Sequence, residues 1–261
     1  MERSGEEKLL IARAADVAQQ CGRQYSVKYM GFLTPAEAAA IRREMPAADA
    51  ALIFYGGYPD AERQLFVALP EYADESECNE LIAALEITGR DIDGLSHRDY
   101  LGSILGLGIR REKIGDILVC ENRCIVFVLE DIADYIVLNL EKVGRHGVKI
   151  RRIEPGTPEI PERKTEKINT VVASLRLDCI VSAAMKTSRA RAAAVINSGR
   201  VSLNWTECTD VSAAVKAGDT LSVKGAGRFI LSAGDADGNG DMPAFRQTKK
   251  GRLAVCIEKL I

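Results

Sequence analysis

The run LRLDCIVSAAMKTSRARAAAVINSGRVSLN, residues 175–204, decides the reading of this 261-residue chain. Its first half sets Leu177, Ile180, Val181 and Ala184 at i, i+3, i+4 and i+7, one face of an α-helix. Lys186-Thr187 breaks that pattern. Ser188 then stands where a hydroxyl can accept from the free N–H groups that open a second helix, whose buried side would be Ala192, Val195 and Ile196. Gly199 tolerates the left-handed conformation that ends many helices, and Val201-Ser202-Leu203-Asn204 alternates like a strand. The spacing predicts helix, turn, helix, strand.

The cations give this plan a purpose. Arg176, Lys186, Arg189, Arg191 and Arg200 all fall on or beside the helix ends, where they can form one surface. From Val171 to Leu231 eight Lys/Arg stand against four Asp/Glu, a net of +4 in a chain whose formal charge is −2. Residues 1–170 carry 22 Lys/Arg against 29 Asp/Glu, and residues 171–261 carry 13 against 8. A basic module inside a mildly acidic protein points to a polyanion partner.

The order R-L-D, S-R-A-R-A, I-N-S-G-R-V-S-L-N and V-K-A-G-D-T-L-S-V, over roughly Leu175 to Val223, resembles the S4-type RNA-binding domain. The resemblance implies an RNA-binding surface built from the two helices and the following turn, and by motif position it falls on Arg176, Lys186, Ser188, Arg189 and Arg200. Arg191, together with Lys224 and Arg228 in the basic loop Lys224-Gly225-Ala226-Gly227-Arg228, joins them as a candidate. A hairpin turn accounts for that loop's glycines as well as a phosphate site does. Asp178 reads as an acid near the positive end of a helix. Trp205 is either a base-stacking ring or a cover for the module's edge.

Outward from this module the elements follow a recognisable order. Leu81–Ile87 reads as a strand, and Ser96-His97-Arg98-Asp99 opens a helix to about Leu105. Gly115–Val119 and Arg123–Leu129 are a strand pair, Glu130–Val143 a helix and Val148–Ile153 a last strand. This is the ferredoxin-like order β-α-β-β-α-β. Before it, Glu6–Gln20 is a helix, Tyr25 to Phe32 an aromatic loop, and Thr34-Pro35-Ala36-Glu37 a capping box opening a helix to about Met45. Ala51–Tyr55 and Gln64–Leu69 are two strands. The expected class is α+β in three parts: an N-terminal α+β unit at 1–75, a ferredoxin-like domain at 76–155 expected to bind RNA, and an S4-type RNA-binding domain at 171–261. Residues 156–170, with Pro155 to Pro161 and the cations Arg163, Lys164 and Lys167, read as a linker.

Leu95 to Gly102 and the run Gly106-Leu107-Gly108-Ile109-Arg110-Arg111-Glu112-Lys113-Ile114-Gly115, with Val143-Gly144-Arg145, Lys224 to Phe229 and Thr248 to Arg252, are similar to the YlmH family of bacterial S4-domain proteins. That family is associated with cell-division loci and ribosome quality control. The resemblance, from about Tyr29 onward, implies a non-catalytic RNA-binding adaptor with rRNA and tRNA as partners. It implies the ribosomal large subunit carrying a peptidyl-tRNA after a stalled ribosome has split. His97, Arg98, Arg110, Arg111 and Lys113 would make a second RNA-facing patch, against the plainer reading of a solvated face with Ser96 and Asp99 as a helix cap. The Gly/Asp-rich stretch within 232–247 is longer than the family leads one to expect and reads as a loop between strands, the second at Arg252–Ile257.

Other classes fare worse. No run of about 18 apolar residues exists and the first residues lack signal-peptide order, so a cytoplasmic protein without membrane contact is expected. Seven scattered cysteines make no disulfide framework or zinc spacing, and Asp235 to Asp241 lacks the glutamate and helices of a calcium loop, so no metal or cofactor is expected. His97-Arg98-Asp99 matches three letters of a kinase catalytic loop without the other kinase motifs. The same fragment and Arg176-Leu177-Asp178 faintly resemble the aspartate motif of pseudouridine synthases, which leaves an RNA-modifying enzyme as the rival reading and a division-associated scaffold as a third.

Overall fold

The computed structural model describes residues 5–45, 51–154, 165–232, 245 and 251–260. The chain divides into two compact units, Met1–Pro161 and Glu162–Ile261.

The first unit opens with α1 (Gly5–Gln24), β1 (Lys28–Leu33), α2 (Pro35–Glu44), β2 (Ala51–Tyr55) and β3 (Gln64–Leu69). Thr34 starts α2 as the sequence predicts: its hydroxyl accepts from the Glu37 N–H at 3.3 Å while the Glu37 carboxylate accepts from the Thr34 N–H at 2.6 Å. The strands lie antiparallel in the order β1-β3-β2. Phe66 and Leu33 pack with Ala14, Ala38 and Ile41 of the two helices. Phe32, Leu65, Val67 and Leu69 instead join a second core.

That second core belongs to β4 (Ile82–Gly89), α3 (His97–Leu105), β5 (Ile114–Cys120), β6 (Arg123–Leu129), α4 (Glu130–Asn139), β7 (Lys142–Val143) and β8 (His146–Ile153). The sheet runs β5-β6-β4-β8-β7, every pair antiparallel, so the first strand of the ferredoxin-like motif lies between its third and fourth. On one face Leu85 stands opposite Arg152, whose guanidinium reaches Glu130 and Asp134 of α4. The opposite face carries Ile82, Ala84 and Glu86, and the N-terminal strands cover one end of it. There Tyr58 stacks on Phe127 with ring centroids 4.8 Å apart, and Asp116 accepts from the Tyr58 hydroxyl at 2.7 Å and from the N–H groups of Glu62 and Arg63. Arg63 in turn donates to the carbonyls of Ile114 and Phe32.

Three expectations are corrected. The boundary at 75/76 falls inside one packed unit, because the face of a half-buried sheet needs a cover and the N-terminal strands supply it. Residues 28–33 form β1, not a loop. Gly31 hides the alternation, and it is required there because a Cβ would lie 2.6 Å from the Glu112 carbonyl oxygen. Helix α4 stops at Asn139 and not at Val143, since Lys142-Val143 pairs with His146-Gly147 as a hairpin.

The second unit contains β9 (Thr165–Val172), α5 (Leu177–Ala184), α6 (Arg189–Asn197), β10 (Val201–Leu203), β11 (Thr206–Glu207), β12 (Thr220–Val223), β13 (Gly227–Ser232) and β14 (Leu253–Leu260). Its sheet is ordered β11-β10-β12-β13-β14-β9, and α5 and α6 close the core with Leu177, Ile180, Val181, Ala192 and Ile196 against Val201, Leu221, Phe229 and Ile257. The expected linker 156–170 is corrected as well, since Thr165–Val172 pairs with β14 along its whole length. Pro155 to Pro161, Arg163, Lys164, most of the Gly/Asp-rich stretch and Thr248 to Lys250 lie outside the described residues.

Candidate nucleic-acid interface

The helix pair forms as the spacing predicts, and each break has a local cause. The first amides of α5 are satisfied from outside the helix: Leu177 N–H donates to the Ala213 carbonyl and Asp178 N–H to that of Val211. Lys186 adopts a left-handed conformation, φ 50°, and the Ser182 hydroxyl donates to the Thr187 carbonyl at 2.6 Å to close the turn. Ser188 then caps α6 by accepting from the Arg191 N–H. At the far end Gly199 (φ 70°) donates to Ile196 and Arg200 N–H to Val195, the paired bonds of a Schellman stop.

Asp178 organises the charge. Its carboxylate, 8 % exposed, accepts from Arg189 Nη2 at 2.6 Å and from Arg176 Nε at 3.2 Å, so a residue opening α5 and one opening α6 are held on one anion. Burial opposes ionisation here, but the hydrogen bonds from Arg189, Arg176 and Cys179 outweigh it and hold the carboxyl at about 2. The two guanidiniums keep 44 % and 56 % of their side chains in solvent. One acid thus fixes two cations side by side and leaves a net positive charge with unused N–H donors.

Beside this cluster runs a groove of about 520 Å³ between the edge strand β9 and the helix turn. Lys186, Arg189 and Arg252 line it with Ser182, Thr187 and residues 168–173 of the strand end. Lys186 Nζ lies 3.6 Å from Glu166, both side chains being largely in solvent.

A second cationic pair sits past the C-terminal end of α6. Arg200 Nη2 donates to the Lys224 carbonyl at 2.8 Å, while the Lys224 N–H donates to the Arg200 carbonyl, so the loop after β12 is tied to the helix stop. Lys224 to Gly227 is the hairpin turn between β12 and β13, with Gly225 and Gly227 both at positive φ. Arg191 is exposed on α6. Arg228 stands opposite Ser222, and its neighbours Phe229 and Val223 face the helices; the pleat therefore turns Arg228 to the other side of the sheet. Arg176, Lys186 and Arg189 are brought together, Arg200 and Lys224 form a separate pair, and Arg228 is parted from both. Ser188 is present as a cap.

Asn204-Trp205 forms the two-residue turn between β10 and β11 with φ of 47° and 63°. The Trp205 indole N–H is buried without a hydrogen-bond partner among the described residues.

The run expected to make a second patch is differently placed. Arg111 is half-buried and donates to the carbonyls of Ile114, at 2.5 Å, and Gly115. Burial, then the charge of Arg63, draws its guanidinium down to about 10. Lys113 pairs with Asp131 at 2.6 Å and Arg110 with Glu112 at 2.9 Å. His97 and Arg98 are exposed in the first turn of α3, where Asp99 accepts from the Ser96 N–H and hydroxyl, both at 2.7 Å. The sequence reading missed Asp178 as the link between the two arginines, because its burial and its distance to Arg189 appear only in the fold. It also left Arg252 out of the site. Among the described residues no group of His, Cys, Asp and Glu is placed to hold a metal ion.

Residues 83–156 match the family described as "Putative RNA-binding domain in YlmH", and residues 175–221 match the S4 domain. The chain is 32 % identical over 255 residues to the "Ribosome-associated protein quality control protein P2" of Bacillus subtilis (strain 168), an alignment covering 97 % of this chain and 95 % of that protein. Its structure is similar to that of "Cell division protein ylmH from Streptococcus pneumoniae", with a TM-score of 0.51 and 19 % identity over 59 % of this chain and 94 % of that one. At that identity the likeness is one of fold.

Proposed function

The chain belongs to the YlmH family of S4-domain RNA-binding proteins, and from that premise we propose that it is a cytoplasmic, non-catalytic adaptor that binds rRNA and tRNA on the ribosomal large subunit during quality control of stalled nascent chains. The observation that carries this reading is the pair of guanidiniums fixed by Asp178 at the two helix starts, beside a groove lined by Lys186 and Arg252. Cations held in place before binding meet phosphates with little further loss of side-chain entropy. Arg200 and Lys224, locked to each other through main-chain carbonyls, extend the contact to the other end of α6. The surface grips RNA by its phosphates and shape, and it reads little sequence.

No catalytic step is needed by this mechanism. Asp99 is occupied by Ser96 and Asp178 by two arginines, which speaks against either as the nucleophilic aspartate of a uridine isomerase. The test is crosslinking and sequencing of bound RNA in cells, with the native chain compared with Arg189→Glu plus Arg200→Glu. Crosslinks in large-subunit rRNA and tRNA that the double reversal removes are expected. Unchanged crosslinks would overturn the assignment, and loss of a pseudouridine on Asp99→Ala would replace the adaptor with an enzyme.

A further inference from the structure

Two surfaces that the fold and sequence of the first unit suggest for nucleic acid are partly occupied, and the sheet face stays open at the end where Lys149 and Arg151 of β8 lie beside Thr88 and Glu86. The sheet face opposite α3 and α4 is closed at its Ile82 end by Tyr58 stacked on Phe127 and by the N-terminal strands. The 97–113 run has committed most of its charge: Arg111 to carbonyls, Lys113 to Asp131 and Arg110 to Glu112.

A different edge is open. Strand β8 pairs with β4 on one side; on its other side His146-Gly147 pairs with the two residues of β7, the Val148 N–H donates to the Glu141 carbonyl, and among the described residues no strand pairs with residues 149–153. From Lys142 to Ile153 this hairpin carries five Lys/Arg and no Asp/Glu. Lys142, opposite Gly147, shares the pleat direction of Lys149 and Arg151, and Arg145 stands at the turn beside Gly144 (φ 58°). Lys142, Arg145 and Lys149 are exposed and make no side-chain ion pair among the described residues. Arg151 donates its Nε to Glu86, a carboxylate buried between Arg151 and Arg123, and keeps 72 % of its side chain in solvent. Of the nearby acids, Asp91, Asp93 and Glu121 lie on the loops after β4 and β5, and Glu141 immediately precedes β7 with its carbonyl accepting from the Val148 N–H; none is on β7 or β8.

We infer that the β7–β8 hairpin edge, through Lys142, Arg145, Lys149 and Arg151, is the phosphate-binding surface of the first unit and holds one strand of the RNA backbone. Alternate residues along a strand are about 7 Å apart, which is close to the spacing of successive phosphates. Lys149 and Arg151 thus match that spacing along β8, while Lys142, level with Gly147 on β7, and Arg145 at the turn extend the cationic edge. The inference deepens the proposed RNA binding by adding a surface independent of the S4-type helices, so the two can fail separately.

The test measures binding of the full chain to in-vitro-transcribed large-subunit rRNA and tRNA as a function of salt. Replacing Lys142, Arg145 and Lys149 by alanine is expected to weaken binding at least tenfold at low salt. It should also lower the slope of log K against log salt by about 2 to 3, since each phosphate contact contributes about 0.7 to 0.9. Crosslinks to residues 142–152 should vanish while those to the S4-type helices persist. An unchanged slope overturns the inference. So does an alanine variant that self-associates with its RNA affinity intact, because the cations would then serve only to keep an open sheet edge from pairing. If Arg189→Glu plus Arg200→Glu leaves affinity unaltered and the hairpin variant does not, the helix surface is refuted and the hairpin stands.

Discussion

Asp178 carries the most consequence of any single residue, because the packing of the helix pair and, on the proposed reading, RNA binding both depend on its carboxylate. Its folded pKa, about 2, lies below the ordinary aspartate value of about 3.9. A depressed folded pKa means the contribution to stability is full above about pH 4 and is lost as pH falls through about 2. With screening by the water around both guanidiniums taken into account, the contribution is about 1 to 2 kcal/mol. Asp178→Asn should therefore destabilise the chain by about that amount at pH 7 and by a small fraction of it near pH 2, which chemical denaturation at the two pH values measures. An undiminished difference at pH 2 would assign Asp178 a packing role instead. The cations it holds were legible from spacing alone, because helix ends and caps leave a sequence signature. Their mutual distance was not, since an acid two residues from one arginine and eleven from the other has no sequence period to betray it.

Elements were legible where pattern and cap agreed. Helices α2 and α6 have a hydroxyl cap at the start and apolar residues behind it, and α5 has a strong apolar stripe, so local and global signals coincide. Strands β1 and β9 were missed because their reasons are tertiary: Gly31 answers to a carbonyl in the 3₁₀ turn before β5, and β9 to a partner strand more than eighty residues away. The same close approach supplies a test of the shared core. At Gly115 a Cβ would meet Phe32 Cε1 at 2.7 Å and Cζ at 2.8 Å, and Phe32 is buried. Gly115→Ala should cost about 1 to 3 kcal/mol of stability through overpacking. The companion Phe32→Leu should recover part of the loss in thermal denaturation. Additive losses would mean that the N-terminal strands and the ferredoxin-like sheet do not share that contact.

For the whole molecule, composition pointed to a polyanion partner, in keeping with the two RNA-binding family matches, and charge segregation pointed to the end of the chain that matches the S4 domain. The basic module at 171–261 offsets an acidic first half, yet the hairpin at 142–153 shows that a net negative segment can still present a locally cationic edge. Summed charge cannot reveal such an edge, because it takes the sheet order to know which strand lies outermost. The adaptor reading requires that the surface around Asp178, with Arg200 at the far end of α6, dominate affinity for structured RNA. Salt titration of full-length protein binding to large-subunit rRNA, native chain against Arg189→Glu plus Arg200→Glu, tests that requirement most directly. The native log K is predicted to fall linearly with log salt, and the reversal to weaken binding at least tenfold at about 0.1 M salt and to flatten the slope by about 2. Equal affinities and equal slopes for the two proteins would contradict it.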